Sequence, residues 1–339
     1  MAEYISSFTT GFGEVIAKNI HLHLKGVDVV DVYDGLIHYR YNGNPIDINR
    51  VFYFNNSFLM LRFFKGKQIT FNRMVSDVSS KKLQYLKANG TFRIRFSQSN
   101  QFAKVDKNIT LNAEAAVSRA THMRIDRLNP TTEMWYIIRD EGFGFYGQLL
   151  NKRTATEKNL NKGELRPEFA YLMCCSGDIK RTSVIIDPFA GFGSIPLQIK
   201  KHFPFKHLIV NDNEKDKVNK LRKSPLANDS RIQIICKDAL ALSDISNESI
   251  DTIITDPPWG YYENIENIEV FYEKMFEEFI RISKKDGSMV VLSARKDEFQ
   301  VAVNKYPILT IVKSIHTLVN GKKAAVFILK RKPHEQPVL

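Results

Sequence analysis

Residues Asp256-Pro257-Pro258-Trp259 set a carboxylate, two rigid backbone units and an indole side by side. Each proline locks φ and removes a backbone donor, so the carbonyls of this stretch remain as acceptors. The Asp256 carboxylate and the Pro257 carbonyl then form a pair of acceptors. Such a pair suits a group with two N–H donors, the exocyclic amine of a planar base. Held by both, the nitrogen becomes more pyramidal and aims its lone pair at an electrophilic carbon. Trp259 offers a flat face for the base to stack on. Asp256 can also take the proton after transfer. A good leaving group removes the need for a strong base, so positioning and electrostatics carry the catalysis. The bland alternative is a rigid loop that packs a tryptophan.

The electrophile is suggested by a glycine loop upstream. Gly-Phe-Gly occurs at Gly11–Gly13, Gly142–Gly144 and Gly191–Gly193. Only the third follows a continuous apolar run, Val184-Ile185-Ile186, and opens a helix, as a cofactor loop requires. In Asp187-Pro188-Phe189-Ala190-Gly191-Phe192-Gly193-Ser194 the glycines let backbone approach a ligand closely. The helix start favours a negative group, here the methionine carboxylate of S-adenosyl-L-methionine. Asp212 closes the next strand about 20 residues on, where a ribose hydroxyl pair is usually held. Asp238 follows the third strand and would accept from the adenine amino group. Each has a plainer reading: a tight turn without ligand, a helix cap for Asp212, an ordinary loop acid for Asp238. Three strand-end acids in succession, Asp187, Asp212 and Asp238, favour the ligand.

These residues need a sheet to hold them at one edge. Further strands are expected at His207–Val210, Ile232–Cys236, Asp251–Thr255 and Ser288–Leu292. An amphipathic helix carries Ile268, Phe271, Met275, Phe279 and Ile282, with Gly287 as its stop. The stretch Ile308–Leu318, Asn320-Gly321, Ala324–Leu329 reads as a hairpin with a type I′ turn. A parallel α/β sheet ending in an antiparallel pair is the outline of the seven-stranded class I methyltransferase fold.

The N-terminal half is mixed. A helix is expected from Gly11–Ile16, and strands at Gly35–Tyr41, Val51–Phe54, Thr91–Phe96 and Met134–Ile138. A helix over Ala113–Leu128, with Asn112 as N-cap, would carry Arg119, Arg124 and Arg127. Arg93 and Arg95 share one face of a strand. These five arginines read equally as a solvated face or as a phosphate-tracking one. Lys plus Arg total 49 against 37 for Asp plus Glu, a net +12 that favours a polyanionic partner. Cys174, Cys175 and Cys236 form neither a disulfide framework nor a zinc set, and no metal is called for. Without a signal peptide or a membrane-length apolar run, the chain reads as soluble and cytoplasmic, with no membrane contact. The polar stretch at residues 151–163 reads as a linker between region 1–150 and region 164–332.

The block Val184–Gly260 resembles the class I methyltransferases that act on exocyclic amines, with the cofactor loop ahead of the Asp-Pro-Pro-aromatic motif. Leu165-Arg166-Pro167-Glu168-Phe169-Ala170 is similar to the segment before the first strand in the THUMP-containing guanine-N2 RNA methyltransferases. Leu318-Val319-Asn320-Gly321-Lys322-Lys323 resembles that family's last hairpin, and Phe8-Thr9-Thr10-Gly11-Phe12-Gly13-Glu14 its opening. Thr91–Phe96 and Asn129–Trp135 resemble strands of its THUMP domain. The resemblance implies a Rossmann-like C-terminal methyltransferase domain behind an α+β THUMP-like RNA-binding domain. It implies tRNA as partner, gripped at the acceptor stem, and guanine N2 as target. By position, Asp256, Pro257 and Trp259 would hold the base, while Pro167, Asp187, Ala190, Gly191, Gly193, Asp212, Asp238 and Asp256 would line the cofactor pocket. The base would have to leave its stack. Ribosomal-RNA guanine, adenine N6, and a non-catalytic RNA-binding protein with a decayed domain remain the alternatives. No protein partner is indicated.

Overall fold

The computed structural model describes residues 1–66, 68–86, 89–152, 160–261 and 265–332. The chain divides into two compact units, Met1–Phe8 with Ala17–Thr154 and Thr9–Ile16 with Ala155–Leu339. The core of the expected linker, residues 153–159, lies outside the described residues, while Asn151 and Lys152 end a strand.

The first unit is built on one sheet. Its strands are β1 (Ala2–Ser7), β2 (Asp28–Tyr33), β3 (Leu36–Tyr41), β4 (Asn56–Lys65), β5 (Thr91–Gln98), β6 (Gln101–Phe102), β7 (Arg124–Ile125), β8 (Thr132–Ile138) and β9 (Phe143–Lys152). They run in the order β2-β3-β1-β4-β9-β8-β5-β6, with β7 beside β5. Helices α1 (Gly13–Asn19), α2 (Pro45–Asn49), α3 (Phe71–Ser79) and α4 (Lys107–Thr121) join them, α1 beginning in the segment assigned to the second unit. Strand alternation separates two faces. Met134, Tyr136 and Tyr146 pack with Met74, Val75 and Val117 of α3 and α4. Ile5, Leu36, Phe58, Phe143 and Phe145 form the opposite cluster, every member of which lies on a strand.

Two expectations fail here. The fourth helix starts at Asp106, whose carboxylate accepts the Asn108 N–H at 2.7 Å, not at Asn112. It ends at His122, which turns left-handed at φ 60, so only Arg119 remains helical. Arg124 falls on β7 and Arg127 in the loop after it. Val51–Phe54 is no strand: it turns on itself, with the Phe54 N–H donating to the Val51 carbonyl at 3.0 Å.

The second unit has α5 (Pro167–Ser176), β10 (Val184–Asp187), α6 (Ser194–His202), β11 (His207–Asn211), α7 (Lys215–Arg222), β12 (Ile232–Ile235) and β13 (Ile250–Thr255). It continues with α8 (Ile268–Ile282), β14 (Ser283–Ser293), α9 (Lys296–Asn304), β15 (Leu309–Val319) and β16 (Lys322–Arg331). The sheet order is β12-β11-β10-β13-β14-β16-β15, parallel until β16 and β15 join antiparallel. Asn320 at φ 50 and Gly321 at φ 78 make the expected type I′ turn. On α8 the buried stripe widens to include Tyr272 and Phe276. That helix stops at Ser283, and Gly287 lies within β14.

Thr9–Ile16, counted from sequence with the first region, packs in the second unit. Phe12 is fully buried, edge-on to Phe169 at 5.4 Å. Gly11 sits at φ +87, and a Cβ there would lie 2.0 Å from the His316 carbonyl oxygen of β15. Only glycine permits that approach.

Candidate active site at the strand ends

Strand β10 is central, flanked by β11 and β13. Chain direction diverges there, and the loops on either side part to leave a crevice at the carboxyl ends. Asp187, Asn211, Ile235 and Thr255 end these strands at one edge.

Asp187 lies under that edge, 1% exposed. Its Oδ1 accepts from the Thr255 hydroxyl at 2.7 Å and from the Phe189 N–H at 3.2 Å. Oδ2 is buried without a hydrogen-bond partner among the described residues. Burial pushes the carboxyl up to about 7, against the two donors, and the nearby Asp212 adds to the rise. Asp187 therefore ties the glycine loop to the strand that carries Asp256.

The loop's backbone is held from β11. The Ala190 N–H donates to the Asn211 carbonyl at 2.8 Å, and the Gly193 N–H to the Ala190 carbonyl at 2.8 Å. The Gly191 N–H donates to Asp212 Oδ2 at 2.8 Å. Gly191 is at φ +57 with nothing within 4 Å of a would-be Cβ, so its side of the loop is open to a ligand. Gly193, at φ +90, has the Leu221 side chain 2.7 Å from that position and caps α6. One glycine serves approach and the other serves packing.

Asp212 Oδ1 accepts from the Glu214 N–H at 2.9 Å, so it shapes its own turn as well as the glycine loop. Each carboxylate oxygen keeps a further lone pair for a hydroxyl. Asp238 is exposed beyond β12 and accepts the Leu240 N–H at 2.9 Å. Pro167 opens α5, half-buried, and just before it Glu164 meets the Ser194 hydroxyl at 3.5 Å, beside the loop. Asn211 was not legible as a site residue. Fully buried, its amide donates to the Pro188 and Lys237 carbonyls at 2.9 and 3.1 Å and accepts from the Lys237 N–H at 3.0 Å. It joins the loops after β10 and β12; the one signal was a polar residue ending an apolar run.

At the end of β13 the Trp259 indole N–H donates to Asp256 Oδ1 at 3.0 Å. Asp256, Pro258 and Trp259 are half-buried and Pro257 is buried. The Trp259 carbonyl accepts from Arg295 Nε at 3.2 Å. Arg295 lies 4.9 Å from the Tyr261 ring centre and pairs with Glu298 at 3.3 Å, and Lys322 Nζ stands 3.6 Å from the same ring. Beneath, the Tyr272 and Ser293 hydroxyls meet at 2.8 Å. Burial and then the Asp256 charge raise the Tyr272 phenol above its usual range. Arg295, Tyr261 and Lys322 come from three separate segments, so spacing did not reveal them.

Two of the five arginines are paired with carboxylates. Arg93 Nε donates to Glu133 at 3.0 Å. Arg127 is bidentate on the buried Glu114, at 2.9 and 2.7 Å. Arg95 lies 5.1 Å from the Phe102 ring centre. Arg119 and Arg124 are exposed.

Residues 173–327 match the family model of the Methyltransferase small domain. The chain is 24% identical over 233 residues to the U6 snRNA (guanine-N(2))-methyltransferase THUMPD2 of Bos taurus, covering 66% of this chain and 44% of the relative. It is 24% identical over 180 residues to the tRNA (guanine(6)-N2)-methyltransferase of Thermus thermophilus, covering 52% and 53% respectively. The chain thus spans about half the length of the curated relatives it matches. The crystal structure of TrmN from Thermus thermophilus superposes with a TM-score of 0.76 at 17% identity, covering 98% of this chain and 100% of that one. At that identity the likeness shows the fold alone: a Rossmann-like class I methyltransferase fold, preceded in sequence by an α+β unit. No helix among the described residues is long and apolar enough to cross a membrane.

Proposed function

We propose that this chain transfers a methyl group from S-adenosyl-L-methionine to the exocyclic N2 amine of a guanine in tRNA. The observation that carries the reading is the Asp256 carboxylate at the end of β13, in the strand next to the one that leads into an open glycine loop. The family match over the second unit and the guanine-N2 activities named for the two relatives support it. The first unit, which is region 1–150 apart from Thr9–Ile16, is the THUMP-like RNA-binding part; it meets the acceptor stem, and the enzyme works in the cytoplasm. Region 164–332, with Thr9–Ile16, is the catalytic part.

The pocket residues fit the cofactor. The open side of Gly191 admits the methionine end, Asp212 keeps lone pairs for the ribose hydroxyls, and the exposed Asp238 accepts from the adenine amine. Pro167 and Ala190 line the same pocket, and Asp187 holds it together from below. When bound, the cofactor supplies a methyl carbon on a sulfonium. Asp256 and the Pro257 carbonyl accept from the guanine amine and aim its lone pair at that carbon. The cofactor would give up the methyl and its sulfur would keep the C–S electron pair, while Asp256 or water would take the proton shed by the amine. Trp259 fixes the Asp256 carboxylate through its indole N–H and flanks the base with its ring.

The test is incubation with labelled S-adenosyl-L-methionine and bulk tRNA, followed by nucleoside mass spectrometry. N2-methylguanosine is the expected product. N6-methyladenosine would overturn the target, and no cofactor binding at millimolar concentration would overturn the enzyme.

A further inference from the structure

We infer that the first unit carries a stacking pocket for an unpaired nucleobase of an RNA strand, on the sheet face whose hydrophobic cluster, among the described residues, is drawn from strands alone. The inference deepens the proposed function by giving the RNA a second contact.

The hydrophobic cluster on that face consists of strand residues alone. Within it opens a cavity of about 200 Å³ lined by Phe58, Phe102, Trp135 and Phe145, with Asn100 and Arg139 among its polar groups. Phe102 stands 67% exposed at the rim of this cavity. The short strand β6 holds it 5.6 Å from the Trp135 ring, tilted by 33°, and Arg95 backs it. The Trp135 N–H is already committed to Glu133 at 2.8 Å, so what its ring offers is its apolar body.

The polar groups decide the class of ligand. Arg139 is held by Glu141 at 2.7 Å and by the Asp34 carbonyl at 3.1 Å, and it also grips the Asn100 side-chain oxygen. Its charge is neutralised, so the cavity is a poor anion site. Asn100 keeps its amide N–H donors, and Asn56 and Ser97 add amide and hydroxyl groups around the opening. Aromatic walls with neutral donors and acceptors match a flat, uncharged heterocycle with a hydrogen-bonding edge. The chain's net charge of +12 supplies the attraction for the strand that carries it.

The chain has two tryptophans, Trp135 and Trp259. In a Trp259→Phe background, Trp135 fluorescence reports the pocket alone. Uridine and adenosine 5′-monophosphates and a single-stranded hexanucleotide should quench it saturably, and ribose 5-phosphate should not. Phe102→Ala should weaken quenching about tenfold, and Phe102→Tyr should retain it. Equal quenching by ribose 5-phosphate, unchanged affinity in Phe102→Ala, or preferential quenching by an aromatic amino-acid amide would overturn the inference. Calorimetric titration of the native chain with S-adenosyl-L-methionine separates the two claims. Lost cofactor binding with quenching intact sinks the enzyme reading and supports the pocket; the reverse result sinks only the pocket.

Discussion

One oxygen of the Asp256 carboxylate is already taken by the Trp259 indole N–H at 3.0 Å. That bond sets the rotation of the carboxylate, so under the proposed function Trp259 is a positioning residue as well as a stacking face. Trp259→Phe keeps a ring and removes the donor. A hydrogen bond to a charged group is worth about 1.5–3 kcal/mol. The single-turnover rate should therefore fall roughly ten- to a hundredfold, with cofactor affinity nearly unchanged; an unaltered rate would return Trp259 to stacking alone. If Asp256 serves the amine as proposed, Asp256→Ala should abolish transfer and spare cofactor binding. Asp187 predicts a pH effect instead. Its carboxyl is raised from 3.8 to about 7 in the fold, so the native state holds a proton that the unfolded chain has released. Its contribution to stability is fully present below about 4 and lost as pH rises through about 7, a loss on the order of 4 kcal/mol at most. Denaturant midpoints between pH 5 and 8 should slope downward, and Asp187→Asn should flatten that slope. The types of these residues showed in the sequence. Their mutual bonds did not, because a hydrogen bond from Trp259 to Asp256 depends on loop conformation, and Asn211 sits hidden at the end of an apolar run.

The elements around the site were legible where periodicity was long or a turn was chemically distinctive. Strands β10 to β13, helix α8 and the Asn320-Gly321 hairpin fall close to their expected places. Element ends were harder. Asn112 and Asp106 are both good caps, and the choice between them rests on how Ile109 and Ala113 pack, which no local window contains. The Gly-Phe-Gly triplets show the same division. Gly191 and Gly11 both need positive φ, one for open space and the other for contact with β15. Gly191→Ala and Gly193→Ala should therefore separate. At Gly193 a Cβ meets Leu221 at 2.7 Å, so strain and clash together should remove about 1–3 kcal/mol of stability. At Gly191 the space is open, so stability should fall by less than at Gly193 while cofactor affinity falls by more. Thermal midpoints and cofactor titrations on the two variants check the contrast; equal losses of both quantities would put the two glycines in one role.

At the scale of the whole molecule, the charge excess of +12 was plain in the sequence, but its distribution was not. Arg93 and Glu133 stand 40 residues apart and become cross-strand partners through the parallel register of β5 on β8. Nothing local announces such a pair. It changes what a mutation at Arg93 would report. Arg93→Glu sets two carboxylates together in a part-buried site, so lost RNA binding there would arrive with a lowered thermal midpoint. Arg119 and Arg124 are exposed, and charge reversal there should leave stability within about 0.5 kcal/mol of the parent. If they track phosphates, each reversal should weaken tRNA binding and lower the slope of log affinity against log salt by roughly 0.7–0.9 per lost contact. Fluorescence anisotropy of labelled tRNA from 50 to 200 mM salt, a range chosen to expose counterion release, supplies the measurement. An unchanged slope in both variants would remove Arg119 and Arg124 from the footprint and leave the aromatic pocket of the first unit as the stronger candidate for RNA contact.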